Sequence, residues 1–211
     1  YIDCIAGQGS ANIGHANPYV VKAITEQART LITCPGIFGN EKRREFLRRL
    51  TEIAPSRLQR GFLCNSGTEA VEAAMKFARI STGRSEIICA TKAFHGRTFG
   101  ALSATFNPKY REGFEPLLPD VHHVTFNKLD KLEGAVSERT AAVMLEIIQG
   151  EGGVNIGTRE FLCGAQELCR KREIILIIDE IQTGFARTGK MFACEHFGLS
   201  PDLLCLSLIH I

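Results

Sequence analysis

Short apolar runs at residues 61–64, 87–90, 123–126, 142–145 and 174–178 alternate with stretches patterned for amphipathic helices, and this alternation limits the folds open to the chain. The last run is apolar without a break, as in a strand covered on both faces. Helical spacing fills several intervals, for example over 69–80 and over Arg159–Arg172. Strand, helix, strand, helix in this order predicts an α/β fold, a mainly parallel sheet with helices on both faces. Upstream, Val21, Ile24, Ala28 and Leu31 recur at helical spacing after Pro18, and Phe46, Leu47, Leu50 and Ile53 do so within 40–54. The chain therefore divides into an N-terminal segment, 1–50, expected to pack on the sheet or on a neighbouring subunit, and an α/β domain over 51–206. No low-complexity linker or internal repeat interrupts it.

Composition removes several classes of function. Lys and Arg number 25 against 23 Asp and Glu, a near-neutral balance that argues against nucleic acid as a partner. The densest basic run, Lys42, Arg43, Arg44, Arg48 and Arg49, is interleaved with Glu41, Glu45 and Glu52 and reads as a solvated helix face. No stretch reaches the roughly 18 consecutive apolar residues that a membrane span needs, and no signal peptide is visible. The 8 cysteines are scattered singly, with no CxxC, and several lie in apolar runs. A reducing, cytoplasmic setting fits them. His122 and His123 would point to opposite faces of a strand, a poor metal pair, so no metal is expected.

In open α/β sheets ligands bind beyond the carboxyl ends of strands, and four unusual clusters fall at such ends. Asn65-Ser66-Gly67-Thr68-Glu69 runs from a strand into a helix. Ser66 and Glu69 have the spacing of a capping box. The motif is either an ordinary helix cap or an anion site built from helix N–H groups and the Thr68 hydroxyl. In Phe94-His95-Gly96-Arg97 the aromatic is either core or a platform for a flat heterocycle, and the arginine could fork onto a carboxylate. His95 reads first as a structural hydrogen-bonding residue. The glycine-rich loop from Glu146 to Gly153 carries Glu146 and Glu151, either solvated charges or pocket groups.

The fourth cluster, Asp179-Glu180-Ile181-Gln182-Thr183-Gly184, ends the longest apolar run. Its acid could face a protonated ring nitrogen or hold the magnesium of an ATPase. Gly184 to Lys190 spells G-x-x-x-x-G-K, the start of a P-loop. Met191 stands where a Ser or Thr must hold magnesium, and the motif trails the acidic strand instead of opening an earlier one. Nucleotide hydrolysis is set aside.

Taken together, NSGTEAVEAAMKFAR, AFHGRTFGALSAT, KYREGFEPL, EIIQGEGG and IIDEIQTGFARTGKMFA resemble the class III aminotransferases of fold type I, over nearly the whole chain. The acetylornithine and LysW-gamma-lysine aminotransferase group is the most similar, and YIDCIAGQGSANIGHANPYVV resembles that family's N-terminal substrate loop. The resemblance implies pyridoxal 5′-phosphate as cofactor. Gly67 and Thr68 would hold its phosphate, Phe94 would stack on the ring, Asp179 would pair with the ring nitrogen and Gln182 would reach the 3-hydroxyl. Arg97 would grip a substrate carboxylate, Glu146 would line the pocket and Glu151 would act as a gate. The implied reaction moves the terminal amine of an acylated ornithine or lysine to 2-oxoglutarate, in arginine or lysine biosynthesis, in a homodimer with sites at the subunit interface. Ornithine δ-aminotransferase, glutamate-semialdehyde aminomutase and a non-catalytic cofactor-binding protein are the alternatives.

Two departures stand out. Phe38-Gly39-Asn40 lacks an aromatic that the family carries at its second position. After Leu206 the family continues with a small residue and its cofactor-bearing lysine, whereas this chain has Ser207 and then Leu208 at the lysine's expected position. An apolar side chain cannot form the covalent link, so no catalytic lysine is present and the chain as written is expected to be inactive. Residues 207–211 are read as a non-native tail, with a genuine lysine-less relative as the alternative.

Overall fold

Strand side chains alternate between two faces, and here both faces are buried. The computed structural model describes residues 1–9 and 11–207, apart from the side chain of Gln8. Its strands are β1 (Glu86–Ala90), β2 (Val121–Val124), β3 (Thr140–Glu146), β4 (Ile148–Gln149), β5 (Asn155–Ile156), β6 (Ile175–Asp179) and β7 (Leu203–Cys205). Its helices are α1 (Ala6–Gly9), α2 (Pro18–Thr30), α3 (Glu41–Ile53), α4 (Gly67–Thr82), α5 (Phe99–Ala104), α6 (Pro108–Arg111), α7 (Leu129–Ala135) and α8 (Arg159–Arg172). Five strands form a parallel sheet in the order β2-β1-β3-β6-β7, and β4 and β5 make a separate antiparallel pair.

The alternation sorts the core into two layers. Ile87, Cys89, Ala142, Met144 and Ile177 face Val71, Ala74, Met75 and Ala78 of α4 with Ala101 and Ala104 of α5. Ile88, Val143, Leu145, Leu176 and Ile178 face Leu132 of α7 and Phe161, Leu162, Ala165 and Cys169 of α8. Helices thus cover both faces, as the alternation of elements predicts. The cap chemistry sets the ends of these helices. Thr158 accepts the Phe161 N–H at 3.2 Å to start α8, and Gly83, with φ of 68°, ends α4 in the left-handed conformation that glycine tolerates.

Several details differ from expectation. Residues 61–64 form no strand ladder. They run beside β7 across a groove of about 1010 Å³, also lined by Phe46, Leu50 and Phe77. An apolar run reports a tendency to be buried, but a strand also needs a backbone neighbour at about 4.8 Å, and none lies there among the described residues. The strand of the third run starts two residues early, at Val121, and β7 is a strand too short to stand out in the apolar pattern. At the start of α4, Ser66 Oγ accepts the Glu69 N–H at 3.3 Å, but the Glu69 carboxylate accepts from Asn65 N–H at 2.6 Å instead of from Ser66. The capping box is therefore displaced by one residue.

The N-terminal segment is held mainly by polar contacts. Neither α2 nor α3 buries a residue, and Tyr19, Val21 and Ile24 are exposed. Asn12 donates to Gly184 O and Phe185 O at 3.4 and 3.0 Å, while Arg187 donates to Gly9 O at 2.6 Å and to the Asn12 side chain. On α3, Arg48 and Arg49 pair with Glu45 and Glu52, the solvated charged face expected there. No helix among the described residues is long and apolar enough to cross a membrane.

Candidate functional site

β1, β3 and β6 bring three of the four clusters to one end of the sheet, with Glu146 and Asp179 in register across β3 and β6. The chain after β1 turns back so that His95 reaches under this end, its N–H donating to Thr105 Oγ1 at 2.9 Å. His95 Nδ1 lies 2.7 Å from Asp179 Oδ2, with side-chain exposures of 0% and 4%. Asp179 Oδ1 accepts the Ile181 N–H at 3.1 Å. Phe94 N–H donates to Glu146 Oε2 at 3.3 Å, and the Phe94 ring meets Tyr110 edge to face, 5.4 Å between centroids. Phe94, His95, Glu146 and Asp179 therefore form one cluster.

Burial governs its electrostatics. Glu146 is pushed up to about 7, first by loss of solvent and then by the Asp179 charge, against the pull of His95 and of the Phe94 and Gly150 N–H groups. Burial alone would lower His95, but its bond to Asp179 and the charges of Asp179 and Glu146 outweigh that and hold it above the ordinary imidazole value. The neighbouring thiols of Cys89 and Cys205 are driven up by burial and stay un-ionised. Because the folded Glu146 value lies above its unfolded one, the stability it contributes is complete below about pH 4.5 and is lost as pH rises through about 7. His95, also raised, has the same sign. Glu146→Gln is therefore expected to flatten the fall in stability between pH 4.5 and 7, by about 3 kcal/mol in urea titrations run across that range. Equal slopes for the two proteins would contradict it.

The remaining cluster, Asn65 to Glu69, joins through close packing. A Cβ on Gly67 would come within 3.0 Å of Ile181, and one on Gly96, whose φ is +131°, would collide with the Thr68 hydroxyl. Thr68 Oγ1 sits 2.9 Å from Thr98 Oγ1, and Thr98 donates at 2.5 Å to Glu72, which caps α5 through the N–H groups of Gly100 and Ala101. The N–H groups of Gly67 and Thr68 at the start of the 16-residue α4 have no hydrogen-bond partner among the described residues. The Gln182 side chain lies against Gly150, where a Cβ would collide with its amide.

The structure thus brings Gly67, Thr68, Phe94, Glu146, Asp179 and Gln182 to one end of the sheet. Arg97 and Glu151 are exposed on the adjoining loops and make no hydrogen bond or ion pair among the described residues. Leu208 lies outside the described residues. Free N–H groups at a helix start suit an anion, Phe94 suits a flat ring and a buried, oriented carboxylate suits a cationic nitrogen. The residues present fit a phosphorylated pyridine.

Sequence reasoning passed over Glu180, which turns the other way from Asp179 and accepts the buried Ala193 and Cys194 N–H groups at 2.6 and 2.8 Å. Two adjacent acids at a strand end were a signal that one faces each side. Tyr110, the partner of Phe94, carried no such signal because the contact spans α5 and brings α6 against the segment after β1. Glu86, Asp120 and His122 also converge, but Arg139 already pairs with both carboxylates, at 3.4 and 2.7 Å.

The family model for aminotransferase class-III matches residues 1–209. A [LysW]-aminoadipate semialdehyde transaminase of Deinococcus radiodurans is 53% identical over 209 residues, covering 98% of this chain and 49% of the relative. An acetylornithine aminotransferase of Methanopyrus kandleri is 47% identical, covering 98% of this chain and 53% of that protein. The chain spans about half the length of the curated relatives it matches. Among solved structures, the taurine:2-oxoglutarate aminotransferase of Bifidobacterium kashiwanohense, in complex with PLP and glutamate, superposes with a TM-score of 0.93 at 29% identity, over 97% of this chain and 51% of that one. An ornithine aminotransferase of Toxoplasma gondii gives 0.89 at 34% identity, over 98% and 50%.

Proposed function

The chain belongs to the class III aminotransferases, and we propose that it forms the cofactor-binding part of an enzyme moving the terminal amino group of an N-acylated ornithine- or lysine-type donor to 2-oxoglutarate. The observation that carries the reading is the convergence of Phe94, Glu146 and the buried His95–Asp179 pair at the ends of β1, β3 and β6. The identity to a [LysW]-aminoadipate semialdehyde transaminase and an acetylornithine aminotransferase supports the donor class.

Pyridoxal 5′-phosphate, when bound, supplies the electron sink that makes a substrate C–H bond acidic. The N–H groups of Gly67 and Thr68, with the Thr68 hydroxyl, hold its phosphate. Phe94, braced by Tyr110, covers one face of the ring. Asp179 accepts a hydrogen bond from the ring nitrogen and keeps it protonated, and Gln182 binds the 3-hydroxyl. Arg97, exposed and unpaired among the described residues, binds a substrate carboxylate. Glu146, held mostly protonated below about pH 7, lines the pocket without adding a full charge beside Asp179. Glu151 acts as the gate between donor and acceptor. The setting is arginine or lysine biosynthesis in the cytoplasm, the assembly a homodimer, and residues 1–50 the segment that meets the substrate or the second subunit.

The test is a donor panel. The full-length protein, loaded with pyridoxal 5′-phosphate, is assayed for glutamate formation from 2-oxoglutarate with acetylornithine, a carrier-bound lysine, free ornithine and taurine. Acylated donors are expected to give kcat/KM at least about tenfold above the free amino acids, a difference of about 1.4 kcal/mol in transition-state binding. A preference for free ornithine would move the chain to another branch of the family.

A further inference from the structure

The N-terminal segment reaches the candidate site at Gln182, which is half-buried and whose amide makes no hydrogen bond among the described residues. On one side Gln182 lies against Gly150, where a Cβ would strike the amide. On the other it lies against Gly9, where a Cβ would stand 3.5 Å from Gln182 Cγ. Packing between two stretches of backbone therefore sets the direction of this side chain. The loop that carries it is strained, since Phe185 and Ala186 have φ of 53° and 67°, the left-handed region that disfavours residues with a Cβ. Such a turn persists where its surroundings hold it. Asn12 supplies part of that hold, its Nδ2 donating to Gly184 O at 3.4 Å and to Phe185 O at 3.0 Å. Arg187 donates back to Gly9 O at 2.6 Å and to Asn12 Oδ1. Asn12 thus joins the two segments as donor and as acceptor, and the same contacts seat Gly9 on Gln182.

We propose that Asn12 is a positioning residue for the cofactor pocket. By tying residues 184–187 to Gly9, it confines the Gln182 amide to the direction of the cofactor's 3-hydroxyl. The proposal rests on the reading of Gln182 as that hydroxyl's partner. A glutamine with room to rotate spreads its amide over several rotamers, and that freedom is lost again when the cofactor binds, which weakens binding. A side chain confined in advance avoids the loss. The N-terminal segment thereby acts on the cofactor site of its own chain, through a residue that touches neither cofactor nor substrate.

The test compares two ligands that bind without a covalent link, pyridoxamine 5′-phosphate and its 3-deoxy analogue, by titration calorimetry on the full-length protein. The wild type is expected to bind the first about tenfold more tightly, the effect of one hydrogen bond. Gln182→Ala is expected to abolish that preference. Asn12→Ala is expected to reduce it at least about threefold, with affinity for the 3-deoxy analogue kept within about twofold of wild type. Combined with Gln182→Ala, it should change nothing further, because the two residues act through one contact. Asn12→Asp still accepts from Arg187 but has no donor for the two carbonyls. It is expected to follow the Ala variant, and it decides the matter should that variant fail to fold. An undiminished preference in a folded Asn12 variant would overturn the proposal. Equal losses for both ligands would overturn it as well, since they would mark Asn12 as a general support of the fold. A wild type without the preference, or a Gln182→Ala variant that keeps it, would instead bring down the reading of Gln182, and the role of Asn12 with it.

Discussion

Asp179→Ala is expected to lower kcat/KM for amino transfer in the full-length protein by at least about a hundredfold, with overall folding retained. Asp179 is 5% exposed, accepts from His95 Nδ1 and Ile181 N–H, and sits at the carboxyl end of β6, which is buried from Leu176 onward. One preorganised polar group facing charge in a water-excluded site contributes about 3 kcal/mol to the transition state, which is a hundredfold in rate. Asp179→Asn keeps the shape and should lose nearly as much, because an amide cannot balance a cationic ring nitrogen. Steady-state kinetics on the two variants, with circular dichroism as the folding control, checks this. Turnover within a few-fold of wild type would remove Asp179 from the site.

The second large effect is on stability. Glu180 is fully buried and accepts the N–H groups of Ala193 and Cys194, both themselves buried. Burial raises its pKa, and those two N–H groups pull the other way. Glu180→Ala leaves two buried donors without a partner, at about 1–3 kcal/mol each, so a loss of about 3 kcal/mol in unfolding free energy is expected. Glu180→Gln keeps one amide oxygen as an acceptor and should lose about half as much. The residue also closes the loop carrying Gln182 and Arg187, since its carbonyl accepts the Gly184 N–H at 2.9 Å. The Ala variant, which keeps that carbonyl but loses both carboxylate bonds, should therefore unfold at lower urea. An unchanged urea midpoint would show that water replaces the carboxylate.

Other parts of the site are read from local chemistry. Gly67, Gly96 and Gly150 each lack the Cβ that would strike Ile181, Thr68 or Gln182, so the glycines mark where backbone from one cluster meets side chains from another. Their spacing in the sequence gave no hint of those partners.

What the sequence by itself determined follows from repeating local patterns. Apolar alternation placed β1, β3 and β6, helical spacing and cap residues placed α3, α4 and α8, and the position of each motif at a strand end marked a shared site. These are contacts within a few residues, where backbone periodicity and a single cap set the outcome. Only the tertiary structure decided the rest. It left residues 61–64 without a ladder, because a strand depends on a neighbour that local pattern does not report. It turned Asp179 toward His95, 84 residues away, and Glu180 toward the backbone of residues 193 and 194. It pressed Gln182 onto Gly150, and it raised Glu146 by burying it beside a second acid. Each of these depends on low local dielectric or on the meeting of distant backbone, and both arise when the sheet assembles.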